Sequence, residues 1–317
     1  MPYDLEIEEY EEHISLKNSA KKCIVTGGAG FIGSNIVDRL VKEGHEVHII
    51  DDLSTGSQYN INPNAKFHKM DITEMNVRGL CTMFEDADMV FHLAAFPRVE
   101  PSIQEPVHAH NINVNGTLNM LKACVDYGVQ RFIFTSSSAV YGEASVPTDE
   151  NHPTNPMSPY ALHKLIGEQY CKLFSDLYGL ETICLRYSNA YGEGQPTEGA
   201  YCNVMGIFQN QKDQGSPMTI VGDGSQRRDF VHVKDIVDAN MKAMNHHQVE
   251  WMGEVFNIGY GVNYSVNQIA RWMGGETTNI PPRIEPKETL LNSDKAYRVL
   301  GWEPTIDLQK WLEEKDV

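Results

Sequence analysis

Short apolar runs alternate along this chain with longer stretches in which apolar residues recur every three or four positions. Cys23 to Thr26, Glu46 to Ile50, Met89 to Ala94, Arg131 to Ser136 and Thr182 to Arg186 read as strands, rich in β-branched and aromatic residues. Phe31 to Val41, with Ile32, Ile36, Val37, Leu40 and Val41 on one face, reads as a helix, as do Val107 to Asp126 and Tyr160 to Leu177. Such alternation predicts an α/β fold, a Rossmann-type doubly wound parallel sheet covered by helices on both faces. Beyond residue 186, Gly- and Pro-punctuated loops surround a helix at Asp235 to Met244, a strand at Glu254 to Ile258 and a helix at Val266 to Met273. This texture predicts a smaller α/β lobe whose segments partly return to the main sheet.

The glycines Gly27, Gly28, Gly30 and Gly33 fall between the first strand and the first helix. Gly27 permits a tight turn, Gly30 lets backbone approach a pyrophosphate, and Gly33 lets helix pack on strand, with helix N-terminal amides facing the phosphates. The second strand ends in Asp51, the acid expected roughly 20 residues on to bind ribose hydroxyls. Its charge would repel a 2′-phosphate, so the expected cofactor is NAD rather than NADP. The expected division is an acidic N-terminal extension over residues 1–21, an NAD-binding Rossmann domain over 22–185, and a mainly substrate-binding lobe over 186–317.

Tyr160 and Lys164 lie four residues apart, on one face of a predicted helix. An ammonium near a phenol favours the phenolate and makes Tyr160 a usable proton acceptor. Ser137 falls at the carboxyl end of a predicted parallel strand, where open α/β sheets bind ligands, and its hydroxyl could bond the oxygen that Tyr160 deprotonates. Together with the glycine turn, these residues point to hydride chemistry on a nicotinamide.

A net charge of −17 over 317 residues argues against nucleic acid or an anionic membrane as partner. No apolar run approaches the ~18 residues of a membrane-spanning helix, and the acidic N-terminus lacks a signal-peptide layout, so a cytoplasmic protein is expected. Residues 1–20, with Asp4, Glu6, Glu8, Glu9, Glu11 and Glu12, read as a flexible or peripheral extension. The six cysteines (Cys23, Cys81, Cys124, Cys171, Cys184 and Cys202) have no Cys-x-x-Cys spacing and read as reduced and mostly buried. His108 with His110, and His246 with His247, lack further ligands at metal-site spacing, so no metal is expected.

The chain resembles the extended short-chain dehydrogenase/reductases, specifically the NAD-dependent sugar-nucleotide epimerase/dehydratase family. The resemblance covers residues 22 to about 312. It rests on Thr26 to Gly33, Asp51 to Gly56, His92-Leu93-Ala94-Ala95, Asn113 to Thr117, Ser158-Pro159-Tyr160, Leu185-Arg186-Tyr187, Gly222-Asp223-Gly224, Arg228-Asp229-Phe230 and Leu300-Gly301-Trp302. It implies that Asp71 and Ile72 contact adenine, that Leu93, Ala94 and Ala95 line the nicotinamide end, and that Lys164 also holds the nicotinamide ribose. Phe31, Ile32, Asp52, Ser54, Thr55, Gly56, Asn113, Tyr160 and Tyr187 complete the implied cofactor set. For the substrate it implies Asn189, the backbone at Asn203 and Val204, and Arg228 on a diphosphate, with Arg283 and Glu285 near the nucleoside. Two arginines and oriented amides would let an acidic protein hold a diphosphate. A homodimer is also implied.

Within that family, 4,6-dehydratases resemble Thr-Asp-Glu where this chain has Ser137-Ser138-Ala139, and uronate decarboxylases keep the Glu. Without a carboxyl group at Ser138 or Ala139, elimination lacks its proton shuttle. The sequence therefore most resembles UDP-hexose 4-epimerases of the UDP-glucose/UDP-N-acetylglucosamine kind, with Ser137, Tyr160 and Lys164 catalytic and Ser138 beside the sugar. Thr289, four residues beyond Glu285, takes the position that in those enzymes borders the sugar's 2-substituent. Departures are Arg98, which points to an acidic sugar such as UDP-glucuronate as an alternative, Ser188 for a usual Phe, Gly206 for a common Pro, and a shortened Arg283-Ile284-Glu285 segment. An NADP-dependent reductase and a non-catalytic NAD sensor are the other classes, the first opposed by Asp51 and the second by the joint presence of Ser137, Tyr160 and Lys164.

Overall fold

The computed structural model describes residues 20–74, 83–97, 99–199, 202–246, 248, 251–282 and 285–315. Residues 1–19, with most of the acidic extension, lie outside the described residues, as do Cys81, Arg98, His247 and Arg283.

In chain order the main elements are β1 (Lys22–Thr26), α1 (Phe31–Lys42), β2 (Glu46–Asp51), β3 (Lys66–Lys69), β4 (Met89–His92), α2 (Val99–Gln104), α3 (Pro106–His110), α4 (Thr117–Tyr127), β5 (Arg131–Ser137), α5 (Pro159–Tyr178) and β6 (Glu181–Tyr187). They continue with β7 (Asn189–Tyr191), α6 (Val204–Asp213), β8 (Met218–Val221), β9 (Arg227–His232), α7 (Val233–Met244), β10 (Glu254–Ile258), β11 (Asn263–Ser265), α8 (Val266–Met273), β12 (Thr277–Ile280) and α9 (Leu308–Lys315). The stretch read as one helix from Val107 to Asp126 is α3 and α4 joined by a π-turn, Asn111–Gly116.

Seven strands form a sheet in the order β10-β6-β5-β4-β1-β2-β3, and every adjacent pair is parallel. The apolar runs are explained by burial on both faces. Cys23, Val25, Ile49, Phe91, Ile133 and Leu185 point into a core beneath α1 and α7, while Ile24, Ile50, Val90, Phe132, Phe134 and Cys184 point into one beneath α4 and α5. Although β10 comes late in the sequence, it closes the far edge of this sheet beside β6. The remaining C-terminal elements bury their own core, with Tyr191, Phe208, Ile220, Phe230, Ile269 and Trp311, around a three-stranded sheet β11-β9-β7 and a pair β12-β8.

The strand order reverses between β1 and β4, the crevice where doubly wound sheets take ligands at the strands' carboxyl ends. Cys23, Cys124, Cys171, Cys184 and Cys202 are buried. Among the described residues no helix is long and apolar enough to cross a membrane.

Candidate active site

One continuous cleft of about 1240 Å³ runs over the carboxyl ends of the main-sheet strands to the smaller lobe. At one end the β1–α1 turn contributes Gly27, Gly30, Phe31, Ile32 and Gly33. A Cβ on Gly27 would stand 2.7 Å from the Ala94 amide nitrogen, and one on Gly33 would stand 2.1 Å from the Gly27 carbonyl oxygen. Only glycine lets the turn close this tightly. The N-cap of α1, Gly30, makes no side-chain cap bond and the first turn has no acidic residue, so α1 supplies no anion of its own to its N-terminal amides. This is the arrangement a pyrophosphate fits.

Asp51, Asp52, Ser54, Thr55, Asp71 and Ile72 line the same end. The Asp51 oxygens accept the N–H groups of Ala29 at 3.0 Å and Leu53 at 2.9 Å, which orients the carboxylate, while burial raises its pKa. Gly56 is not among the lining residues. It packs behind them, where a Cβ would stand 2.9 Å from Asp51 Oδ1.

Leu93, Ala94 and Ala95 form the next part of the wall, held from behind at two places. Asn113 does not line the cleft; its buried side chain accepts the Phe96 N–H at 2.7 Å and donates to the Phe96 carbonyl at 3.0 Å. The second hold is a chain of hydrogen bonds with a fixed direction. Thr117 donates to the Asn113 carbonyl at 2.7 Å, so its oxygen must accept from His92 Nε2 at 3.0 Å. Neutral His92 then accepts at Nδ1 from the Thr26 hydroxyl at 2.8 Å, and Thr26 accepts the N–H groups of Leu93 and Ala94 at 3.2 Å. Burial enforces that neutral form by pushing His92 down to about 3.

Midway along the cleft, Ser137, Ser138, Tyr160, Lys164 and Tyr187 come together. Ser137 ends β5, and its hydroxyl accepts the Ala139 N–H at 3.2 Å. The N-terminus of α5 is fixed by its cap, Ser158, which accepts from Ala161 at 3.2 Å, and by the buried Ser102, which accepts the Tyr160 N–H at 3.0 Å. Lys164 follows one turn later. Its Nζ donates to the Thr135 carbonyl at 2.7 Å and lies 5.9 Å from the centroid of the Tyr160 ring. Burial pushes Lys164 down to about 8, opposed by the nearby charge of Glu168. The Tyr187 hydroxyl accepts from Asn240 at 2.7 Å, and burial pushes it up to about 12.

Beneath this centre lies a buried network. Arg186 grips both oxygens of Glu168, at 2.8 and 2.6 Å, and donates to the Tyr141 hydroxyl at 2.7 Å. Ser136 also bonds Glu168, and Tyr141 donates to Asn257 at 2.8 Å. The network ties β5, α5, β6 and β10 together directly below Ser137 and Lys164. Its members come from separate elements, so no local spacing in the sequence signalled it.

At the far end, Asn189, Asn203, Arg228, Glu285 and Thr289 line the cleft. Asn203 caps α6, accepting the Gly206 N–H at 2.9 Å and donating to the Ala190 carbonyl at 2.8 Å. Val204, the first residue of α6, is not among the lining residues, and its contribution would be its backbone N–H. A Cβ on Gly206 would stand 2.2 Å from the Pro196 carbonyl oxygen, so glycine here lets α6 pack against the Gln195-Pro196 loop that borders the cleft. Arg228 pairs with Glu285 at 2.6 Å. The Thr289 hydroxyl is buried and finds no hydrogen-bond partner among the described residues.

A nucleotide-accepting glycine turn and a Ser, Tyr and Lys cluster thus share one cleft with an Arg-bearing end. A family model described as the NAD dependent epimerase/dehydratase family matches residues 23–259. The chain belongs to this family. Among relatives, a Methanocaldococcus jannaschii protein provisionally named a UDP-glucose 4-epimerase is 43% identical, over 91% of this chain and 95% of its own. The Thermotoga maritima UDP-glucose 4-epimerase, solved with UDP-glucose, superposes with a TM-score of 0.87 at 38% identity, covering 92% of this chain and 96% of that one. The Methanobrevibacter ruminantium UDP-N-acetylglucosamine 4-epimerase, solved with UDP-N-acetylmuramic acid, gives 0.86 at 33% identity, covering 93% and 97%. Family membership makes the enzyme NAD-dependent, which the uncapped α1 terminus and Asp51 accommodate.

Proposed function

We propose that this enzyme is a nucleotide-sugar 4-epimerase acting on UDP-glucose/UDP-galactose, on their N-acetyl forms, or on both. The reading is carried by Ser137, Tyr160 and Lys164 standing midway in one cleft, between the glycine turn and the Arg228 end, with no carboxyl group at Ser138 or Ala139. The names of the relatives support it.

Gly27, Gly30, Gly33, Asp51, Asp71 and Leu93 to Ala95 would hold NAD, which would take the C4 hydride and return it to either face. Tyr160 takes the proton of the sugar's 4-hydroxyl, while Ser137 holds that oxygen and the Lys164 ammonium favours the phenolate. The resulting 4-keto sugar turns within the cleft. Once the other face of C4 is presented, Tyr160 gives the proton back to the 4-oxygen. Asn203, the α6 amides and Arg228 hold the diphosphate throughout, leaving the hexose free to rotate. Nothing is oxidised overall, so turnover requires no added cofactor when NAD stays bound.

The test is incubation of the purified protein with a panel of UDP-sugars, with products identified by NMR. Interconversion at C4 without NADH release is expected; stoichiometric NADH, or no change in any UDP-sugar, overturns the reading. The exposed stripe Leu162, Leu173 and Leu177 on α5, with Val107 of α3 nearby, supports a homodimer through these helices, which sedimentation equilibrium tests.

A further inference from the structure

We propose that Asp229 is a positioning residue from which both walls of the sugar end of the cleft are hung. The inference rests on the reading of that cleft as a nucleotide-sugar site. Asp229 is fully buried on β9, next to Arg228, and does not itself line the cleft. Its Oδ1 accepts the Ser188 hydroxyl at 3.3 Å and the Tyr260 N–H at 2.9 Å. Its Oδ2 accepts the Leu291 N–H at 3.1 Å, and the Gly261 N–H adds a further bond. The backbone carbonyl of Asp229 accepts from the Asn189 side chain at 3.0 Å. One wall of the cleft, Ser188 and Asn189, and the segment carrying the other, Thr289, are thereby fixed to the strand that carries Arg228.

Stability does not account for such a residue. All these donors are neutral, and among the described residues no cation pairs with Asp229, so the carboxylate is desolvated without an opposite charge to compensate. What a carboxylate alone provides is acceptor capacity at both oxygens with no donor of its own. It can gather three chain segments onto one point, which an amide or a hydroxyl cannot do. The packing leaves no slack: a Cβ on Gly259 would stand 2.4 Å from Asp229 Oδ2 and 2.9 Å from Leu291 Cβ. The Asp229 carboxylate thus acts on the substrate through Ser188 and the segment that carries Thr289.

The test is Asp229→Asn, which keeps the shape but turns an NH₂ toward backbone N–H groups. Calorimetry is expected to show UDP-glucose binding weakened about tenfold or more, with NAD content unchanged and kcat within about threefold of native. Hydrogen exchange is expected to speed up at the Tyr260 and Leu291 amides and to stay slow in β1, β4 and β5. Native affinity with native exchange overturns the proposal, and so does loss of NAD with faster exchange throughout. Should Asp229→Asn fail to fold, Ser188→Ala removes one donor. Faster exchange at Tyr260 with a KM raised about threefold supports the proposal, and unchanged exchange overturns it. If the native protein handles no nucleotide sugar, the functional reading fails by itself, and the exchange measurement still decides the role of Asp229.

Discussion

The Nζ of Lys164 donates a 2.7 Å hydrogen bond to the carbonyl of Thr135, two residues before Ser137, so the ammonium is anchored to the strand that presents the serine. Burial lowers its pKa from 10.5 to about 8. Tyr160 accepts a proton readily only while that charge stands beside it, so kcat is expected to fall as pH rises through about 8, by roughly tenfold per unit. Stability runs in the opposite sense. The folded protein releases this proton near 8 and the unfolded chain near 10.5, so the penalty for burying the ammonium is present below pH 8 and disappears as pH rises between those values. A pH–rate profile checks the first expectation. A kcat still flat at pH 9.5 would contradict it.

Tyr160→Phe deletes the hydroxyl and keeps the ring. Its amide remains held by Ser102 and its helix by the Ser158 cap, so the cleft should be preserved. Turnover is expected to drop on the order of 100-fold or more, with bound NAD unchanged. Lys164→Ala is expected to lower both turnover and NAD retention. Ultraviolet spectra of desalted protein and single-substrate kinetics measure the two effects, and near-native turnover in Tyr160→Phe would remove Tyr160 as the base.

How much of this was legible in the sequence depends on the range of the interaction involved. The glycine turn, Asp51 and the Tyr160/Lys164 spacing are local patterns, and strand, turn and helix place them without tertiary information. Helix Val266–Met273 and strand Glu254–Ile258 also fall where the sequence places them, since Ser265 and Gln268 form a capping box and Val255, Phe256 and Ile258 give β10 its apolar character. The short strands β3, β7, β8, β11 and β12 left no period to read. Networks assembled by the fold were hidden for another reason. Arg131, for example, pairs with Glu181, 50 residues on, and caps the end of α7 through the carbonyls of Ala243 and Met244, 112 and 113 residues on. Asn113 was readable as a site residue, but its role, clamping Phe96 from behind, depends on where the π-turn places it.

Gly33→Ala tests the tightness of the cofactor turn. With the Gly27 carbonyl oxygen only 2.1 Å from the new carbon, backbone must move, at an overpacking cost of about 1–3 kcal/mol. The protein is expected to purify with little NAD and a lower Tm, regaining part of that Tm when NAD is added in excess. Full NAD occupancy at native Tm would show that the turn yields easily.

The absence of carboxyl groups at Ser138 and Ala139 sets a limit on the chemistry. Elimination of water from C6 needs an acid and a base beyond Tyr160, and neither position can supply one. Neither a 4-keto-6-deoxy sugar nor a pentose from UDP-glucuronate is expected among the products. Mass spectrometry of the product mixtures detects both, and finding either would show that another residue shuttles the proton.

Thr289 offers the sharpest control on substrate choice. It lines the cleft and follows Glu285, the partner of Arg228, by four residues, while its main chain is fixed by the N–H bond to Arg227 at 3.1 Å and the carbonyl bond from Asn263 at 3.2 Å. The backbone that carries the side chain is therefore fixed beside β9. Its hydroxyl is buried and finds no partner among the described residues. The small side chain leaves room that a tyrosine ring would fill. UDP-glucose and UDP-N-acetylglucosamine are both expected to be accepted by the native enzyme. Thr289→Tyr is expected to suppress the acetylated sugar selectively, by about 1–3 kcal/mol in kcat/KM, because the ring takes the volume an acetamido group would need. Comparing kcat/KM for the two sugars in native and variant protein checks this. Equal loss of both activities, or loss of neither, would place Thr289 away from the 2-substituent.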